Sequence, residues 1–310
     1  MTRSALAFAR AALEAGSEAL PAYSHPKSPH RYTQAQLFAL MALRAFLKLD
    51  YRGLIVRLSE WSDLRKALGL TRVPHYSTIA KAETRLLTRG NASALLETTL
   101  SQARRAGLLG SKAERVAIDS TGYENGHTSA YYGRRCGIRK HRFPKVTALM
   151  DTRSHLYLSG VMNEGPFPDH REFAPAVSAA HRRVAFVVLL ADAGYDSEHA
   201  HRLVRETLGA RSVIPATSGR PTTRPPTGTY RRRMARRFPN KTYGQRRQIE
   251  SAFSQDKRRF SSSVAGRDTT ARSRQLHLRL LVHNLALIRR RRAATRHRFT
   301  RPTALRQRSR

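Results

Sequence analysis

"VAFVVLLADAGYD", residues 184–196, decides the fold. An unbroken apolar run, rich in valine, ends abruptly in Asp192 and a glycine, Gly194. A short apolar run closed by turn-forming residues reads as a buried strand. "RVAIDSTG", residues 115–122, has the same design, with Asp119 following the apolar run and Gly122 closing it. Working outward, "KVTALMDT" (145–152), "HLYLSGVMNE" (155–164) and "RSVIPA" (211–216) read as further strands. "SEHAHRLVRETLG" (197–209) reads as a helix capped at Ser197 and ended near Gly209. Strands alternating with helices in this order describe an α/β domain with a mixed sheet.

Both flanks of this region are helical. "TQAQLFALMALRAFLKL" (33–49) carries apolar residues at helical spacing behind a capping threonine, and helical character continues through 51–69. "TRVPHYSTIAKAETRLL" (71–87) reads as a turn with Pro74 followed by a basic helix. Short helices joined by a turn suit a DNA reader of the helix-turn-helix kind and equally a plain helical scaffold. After the strands, residues 217–240 are dense in Pro, Thr, Gly and Arg and read as a basic loop. Helical periodicity returns from about Gly244 to Arg259 and again over 272–292, and the basic tail 293–310 reads as disordered. The expected organisation is a helical, DNA-binding domain over 1–110, a catalytic domain over 111–292, and that tail.

The chain has 310 residues and a formal net charge of +37, from 58 Lys and Arg against 21 Asp and Glu. Such an excess calls for a polyanion, and nucleic acid is the usual one. Cys136 is the only cysteine, which excludes an internal disulfide framework and a cysteine-based zinc site. The start of the chain has neither a long apolar run nor a signal-peptide pattern, so a cytoplasmic protein near its nucleic acid, without a membrane partner, is expected.

Against this basic background the acids stand out. From Thr207 to Ile249 there is no acidic residue, and then Glu250 appears in "KTYGQRRQIESAFSQDKRRF" (241–260). An aspartate closing a strand is ordinarily a turn or cap residue, but two in matching contexts point to the ends of strands where α/β sheets bind ligands. Should the Glu250 helix cross that sheet, three carboxylates meet, and their mutual repulsion is relieved by two Mg²⁺ ions. Tyr243, Arg246, Glu250 and Lys257 keep one helical face by their spacing. Other acids read as structural. Asp151 belongs to a hairpin turn, Asp196 and Glu198 to helix capping, and Asp256 to an intrahelical pair with Arg259. His127, Tyr131 and Tyr132 read as loop or hairpin surface.

The pattern Y-x2-R-x3-E-x6-K, present as "YGQRRQIESAFSQDK", resembles the signature of DDE transposases from prokaryotic insertion sequences, in the branch named for Tyr, Arg, Glu and Lys. "AIDST" resembles the first catalytic aspartate of that family and "LADAGYDSE" its second. The likeness runs from about Ala113 to Arg292. It implies a ribonuclease H-like core, a mixed five-stranded sheet flanked by helices, with Asp119, Asp192 and Glu250 binding two Mg²⁺ or Mn²⁺ ions. It implies that Tyr243, Arg246 and Lys257 contact double-stranded DNA, both terminal inverted repeats and target, with a homodimer in the synaptic complex. The implied reaction is cleavage by activated water followed by attack of the freed 3′-hydroxyl on target DNA. Two alternatives share these residues: an inactive or domesticated DNA-binding relative, and a nuclease of the same fold without strand transfer. The span from Asp192 to Glu250 is too short for the large inserted β domain of some relatives, and the only tryptophan, Trp61, lies far from the signature.

Overall fold

The computed structural model describes residues 2–126, 142–216 and 226–299. His127, Tyr131 and Tyr132 lie outside the described residues. Six helices come first: α1 Ala5–Ala19, α2 Gln34–Leu47, α3 Tyr51–Glu60, α4 Ser62–Ala67, α5 Tyr76–Leu86 and α6 Arg89–Arg105. Thr33 and Gln36 form a reciprocal capping box at the start of α2, as the capping threonine led one to expect. Lys48, at φ 57°, closes that helix in a left-handed turn that lets Leu49 N–H reach the Arg44 carbonyl at 3.0 Å. Leu37 through Leu43 are all buried because α2 runs through the middle of the helical layer and is apolar on every side. Arg44, stacked 4.2 Å over the Tyr51 ring, bonds Glu83, which also takes the Tyr51 hydroxyl, so one buried acid ties α2, α3 and α5 together.

The sheet contains β1 Lys112–Gly122, β3 Phe143–Asp151, β4 Tyr157–Gly165, β5 Ala185–Leu190 and β6 Arg211–Val213, in the order β4-β3-β1-β5-β6. β1 pairs antiparallel with β3, and β3 with β4, while β5 and β6 add in parallel. This is the expected ribonuclease H-like mixed five-stranded sheet. A two-stranded ladder joins β2 Glu124–Asn125 to β7 Ser263–Val264. The helices of this half are α7 His170–Arg183, α8 Glu198–Arg202, α9 Thr229–Arg236, α10 Asn240–Tyr243, α11 Arg247–Phe260 and α12 Thr269–Phe299.

Alternation along β1 assigns its two faces. Val116 and Ile118 pack under α7 against Phe173, Ala176 and Val177. Ala117 belongs to the opposite core, with Leu190, Val213 and residues Ile249, Ala252 and Phe253 of α11. α12 serves both halves of the molecule. Its Leu276 and Leu280 join the sheet core, and its Leu281, Val282 and Leu285 join the helical core. No described helix is long and apolar enough to cross a membrane.

Several expectations need correction. The segment read as loop over 217–240 contains α9 and ends where α10 begins, while 217–225 lie outside the described residues. Glu198 accepts from the N–H groups of Tyr230 (3.1 Å) and Arg231 (3.2 Å), so the first turn of α9 is capped by a residue some thirty positions upstream, invisible to local patterns. α12 runs on to Phe299, past the point where a disordered tail was expected, because neither Gly nor Pro interrupts it before Pro302. Asp119 does not end its strand, since β1 continues to Gly122 along β3. Asp256 turns its oxygens to Tyr157 (2.9 Å) and His283 (2.7 Å) in the core rather than to Arg259. Asp151 does turn the β3–β4 hairpin, accepting from Ser154 N–H at 2.9 Å.

Candidate functional site

Strand register brings the first two acids together. β1 and β5 run in parallel with Ala117 opposite Leu190. Two residues past that pair come Asp119, on the same face of β1 as Ala117, and Asp192, whose charge Asp119 feels. The parallel ladder ends at Ala117 and Leu190, so the chains part where the acids begin. Asp192 turns back to accept Gly194 N–H at 2.8 Å, and Asp119 accepts Ser120 N–H at 2.9 Å. Each carboxylate is thereby held by a backbone N–H close to it in the chain.

Glu250 arrives on the same face. Ile249, Ala252 and Phe253 bury α11 against the sheet, which leaves the neighbouring Glu250 at the rim with its side chain 45% exposed. Arg246, in the single 3-10 turn Gly244–Arg246 before α11, points its guanidinium between two of the acids. One nitrogen lies 3.5 Å from Asp119 Oδ2, and the other bonds Glu250 Oε1. The Arg246 guanidinium also lies 5.8 Å from the centre of the Tyr243 ring, which in turn meets Phe238 edge-on. Burial pushes the Asp119 carboxyl up to about 6; the charges of Asp192 and Glu250 push the same way, and Ser120 N–H and Arg246 push back. Asp119 therefore feels the charge of both other acids.

The structure brings Asp119, Asp192, Tyr243, Arg246 and Glu250 into one neighbourhood. Lys257 has different company. Two helical turns along α11, it rests 5.3 Å over the ring of Tyr123, whose other neighbour is Arg279 at 5.0 Å, and burial lowers its pKa.

Three side chains that sequence reasoning passed over pin the acids in place. Ser120 Oγ lies 2.6 Å from Thr147 Oγ1 and 2.8 Å from the Tyr195 hydroxyl, joining β1, β3 and the turn after β5. Burial raises the Tyr195 pKa, so its hydroxyl keeps its proton. The only signal was position, since Ser120 follows the first acid and Tyr195 stands three residues after the second. Next to them Asp196, fully buried, pairs with Arg231 at 2.7 Å and anchors α9 to that turn. His201 Nδ1 meets Ser212 Oγ at 2.7 Å, and Arg205 Nε donates to the same oxygen. Burial, with Arg205 close by, pushes His201 down to about 4, which leaves the ring neutral.

Among the described residues, no group of three or more His, Cys, Asp or Glu is drawn close enough to hold a metal ion. Arg246 accounts for the spacing between Asp119 and Glu250, because a cation already stands there. The donors are carboxylate oxygens only, which suit a hard divalent cation, and the guanidinium marks where positive charge is wanted. The residues present therefore fit such an ion.

No curated protein matches the chain. A family model described as the transposase DDE domain matches residues 110–285, which span the whole sheet, all three acids and most of α12, and with more than half of its length covered the chain belongs to the DDE transposase family.

Proposed function

We propose that the protein is an insertion-sequence transposase of the Tyr-Arg-Glu-Lys branch, cutting the ends of its element and joining the freed 3′-hydroxyl to target DNA. The observation that carries this reading is the parallel pairing of Ala117 with Leu190, two residues before Asp119 and Asp192, in the core against which α11 packs beside Glu250. Divalent cations held by these three residues, Mg²⁺ or Mn²⁺, would supply an activated water and a stabilised leaving oxygen. Ser120, Thr147 and Tyr195 hold the two aspartates in position through a shared hydrogen-bond cluster. Tyr243 and Arg246 border the acids, where a scissile phosphate would lie, and Lys257 with Arg279 extends the positive rim further along α11. Arginine suits this work because its fork grips phosphate bidentately.

The helical half supports a DNA-holding role as well. A cleft of about 680 Å³ between the loop before α2 and the start of α5 is lined by Arg31, Arg72, Arg85, His30 and His75, and no acid lines it. With a net charge of +37, binding should weaken steeply with salt as phosphates release counterions. Terminal repeats and target DNA, engaged by two copies of the chain in the cytoplasm, complete the reading.

The test is Asp119→Asn. The variant should keep its affinity for a duplex bearing the element end and lose Mg²⁺-dependent cleavage of that end. Cleavage at the wild-type rate would overturn the assignment.

A further inference from the structure

Arg246 touches both Asp119 and Glu250, and its side chain is 16% exposed. It is wedged among acids rather than stretched into solvent to meet DNA. Carboxylates gathered in one place need a counter-ion, and here the chain supplies its own in Arg246, which touches two of them. A divalent ion bound by the same oxygens would face the guanidinium at close range, and like charges so near one another exclude each other. The turn that carries Arg246 is open on its outer side, and a Cβ added at Gly244 would meet no atom within 4 Å. The guanidinium itself reaches the rim, since Glu250, one of its two partners, is 45% exposed.

The geometry points to an exchange device: Arg246 is the internal cation of the metal-free site, and divalent-ion binding releases its guanidinium to grip a DNA phosphate. The inference rests on the proposed metal site. It makes loading of the ion and gripping of DNA one linked equilibrium, so each strengthens the other. DNA bound before the ion would find its arginine occupied, and premature contact is disfavoured. Tyr243 stays beside the arginine in the metal-free state, its ring 5.8 Å from the guanidinium.

The experiment titrates Mn²⁺ into the metal-free full-length chain, free ion being counted by its room-temperature EPR signal, for wild type, Arg246→Ala, Arg246→Lys and Asp119→Asn. Circular dichroism confirms that each is folded. A second arm measures affinity for a duplex of the element end with and without Ca²⁺, by fluorescence anisotropy. Removing the internal cation should tighten Mn²⁺ binding roughly tenfold, within the usual range of coupling between sites. Arg246→Lys, which keeps a charge but loses the fork, should fall between. Ca²⁺ should raise the DNA affinity of wild type and leave that of Arg246→Ala nearly unchanged. Mn²⁺ binding by Arg246→Ala that equals or is weaker than wild type, while Asp119→Asn loses the ion, would overturn the exchange and leave the metal site standing. Undiminished Mn²⁺ binding by Asp119→Asn would bring down the site itself, and the exchange with it.

Discussion

Glu250 and Asp256 stand six residues apart on α11, and the fold treats them in opposite ways. Asp256 is 2% exposed, takes the Tyr157 hydroxyl on one oxygen and His283 Nδ1 on the other, and lies deep between α11, α12 and β4. The remaining nitrogen of His283 meets the His155 carbonyl at 2.9 Å. Both imidazole nitrogens thus face oxygen atoms of the chain. The cluster is sealed, and each oxygen of Asp256 has a partner from its own chain. Glu250 sits half in water and shares one arginine with Asp119. A carboxylate enclosed by its own chain's donors serves the fold, and one left at the rim facing a displaceable cation is free to change partners.

The hardest blow to that contrast would come from Asp256→Ala. It strands the buried His283 Nδ1 and the buried Tyr157 hydroxyl, and each buried polar group left unsatisfied costs about 1–3 kcal/mol. Urea denaturation of the full chain reads the loss directly. A cost under about 1 kcal/mol would mean that Asp256 is no more structural than Glu250.

The next effect is a pH dependence at a second sealed cluster. His201 is buried, and its folded-state pKa of about 4 lies below the usual 6.5. The unfolded chain therefore takes up the proton first. Stability from this residue is fully present above pH 6.5 and is lost as pH falls toward 4, by up to about 3 kcal/mol. His201→Gln should flatten the stability curve over that interval. An unchanged slope would show that the ring titrates freely and that the cluster around Asp196 is open.

These two clusters also mark where the sequence stops being readable. The strands were legible because a short apolar run and a closing turn residue are local signals, and 115–122 and 184–194 showed both. The acids Asp119 and Asp192 were legible as matching contexts, but their meeting depends on a parallel register that no spacing along the chain encodes. Asp256 was misread for the same reason. Its distance from Arg259 suited an intrahelical pair, yet His283 lies on another helix, and burial favours the partner that can be enclosed with it. Glu198 caps α9 from across the turn that holds Asp192, so α9 read as loop. Arg246 was singled out by its place in the Y-x2-R-x3-E-x6-K pattern, whereas its contact with Asp119 required the sheet to be assembled.

Tyr195→Phe probes the boundary between the two kinds of site. It removes one hydroxyl from the cluster that joins β1 to the turn after β5, and Ser120 keeps Thr147. The stability cost should be about 1 kcal/mol, the worth of one hydrogen bond. Metal-dependent cleavage should fall further than stability does, because small misplacements of reacting groups are costly. Cleavage that tracks stability alone would reduce the cluster to packing.

The smallest effect is expected at Glu250→Gln, and it completes the contrast with Asp256. The substitution removes the same charge from the same helix, but at a side chain 45% exposed, where an ion pair contributes less than about 1 kcal/mol. Glutamine can still accept from Arg246, and Arg246 keeps Asp119. Urea midpoints should therefore shift by no more than about 0.5 kcal/mol equivalent. Mn²⁺ titration of the same variant should show a marked loss, since one of three oxygen donors has become a neutral amide. A variant that unfolds easily yet binds the ion normally would reverse the two roles, placing the Arg246 pair in the architecture of the fold and leaving the acids at the sheet's end without a task.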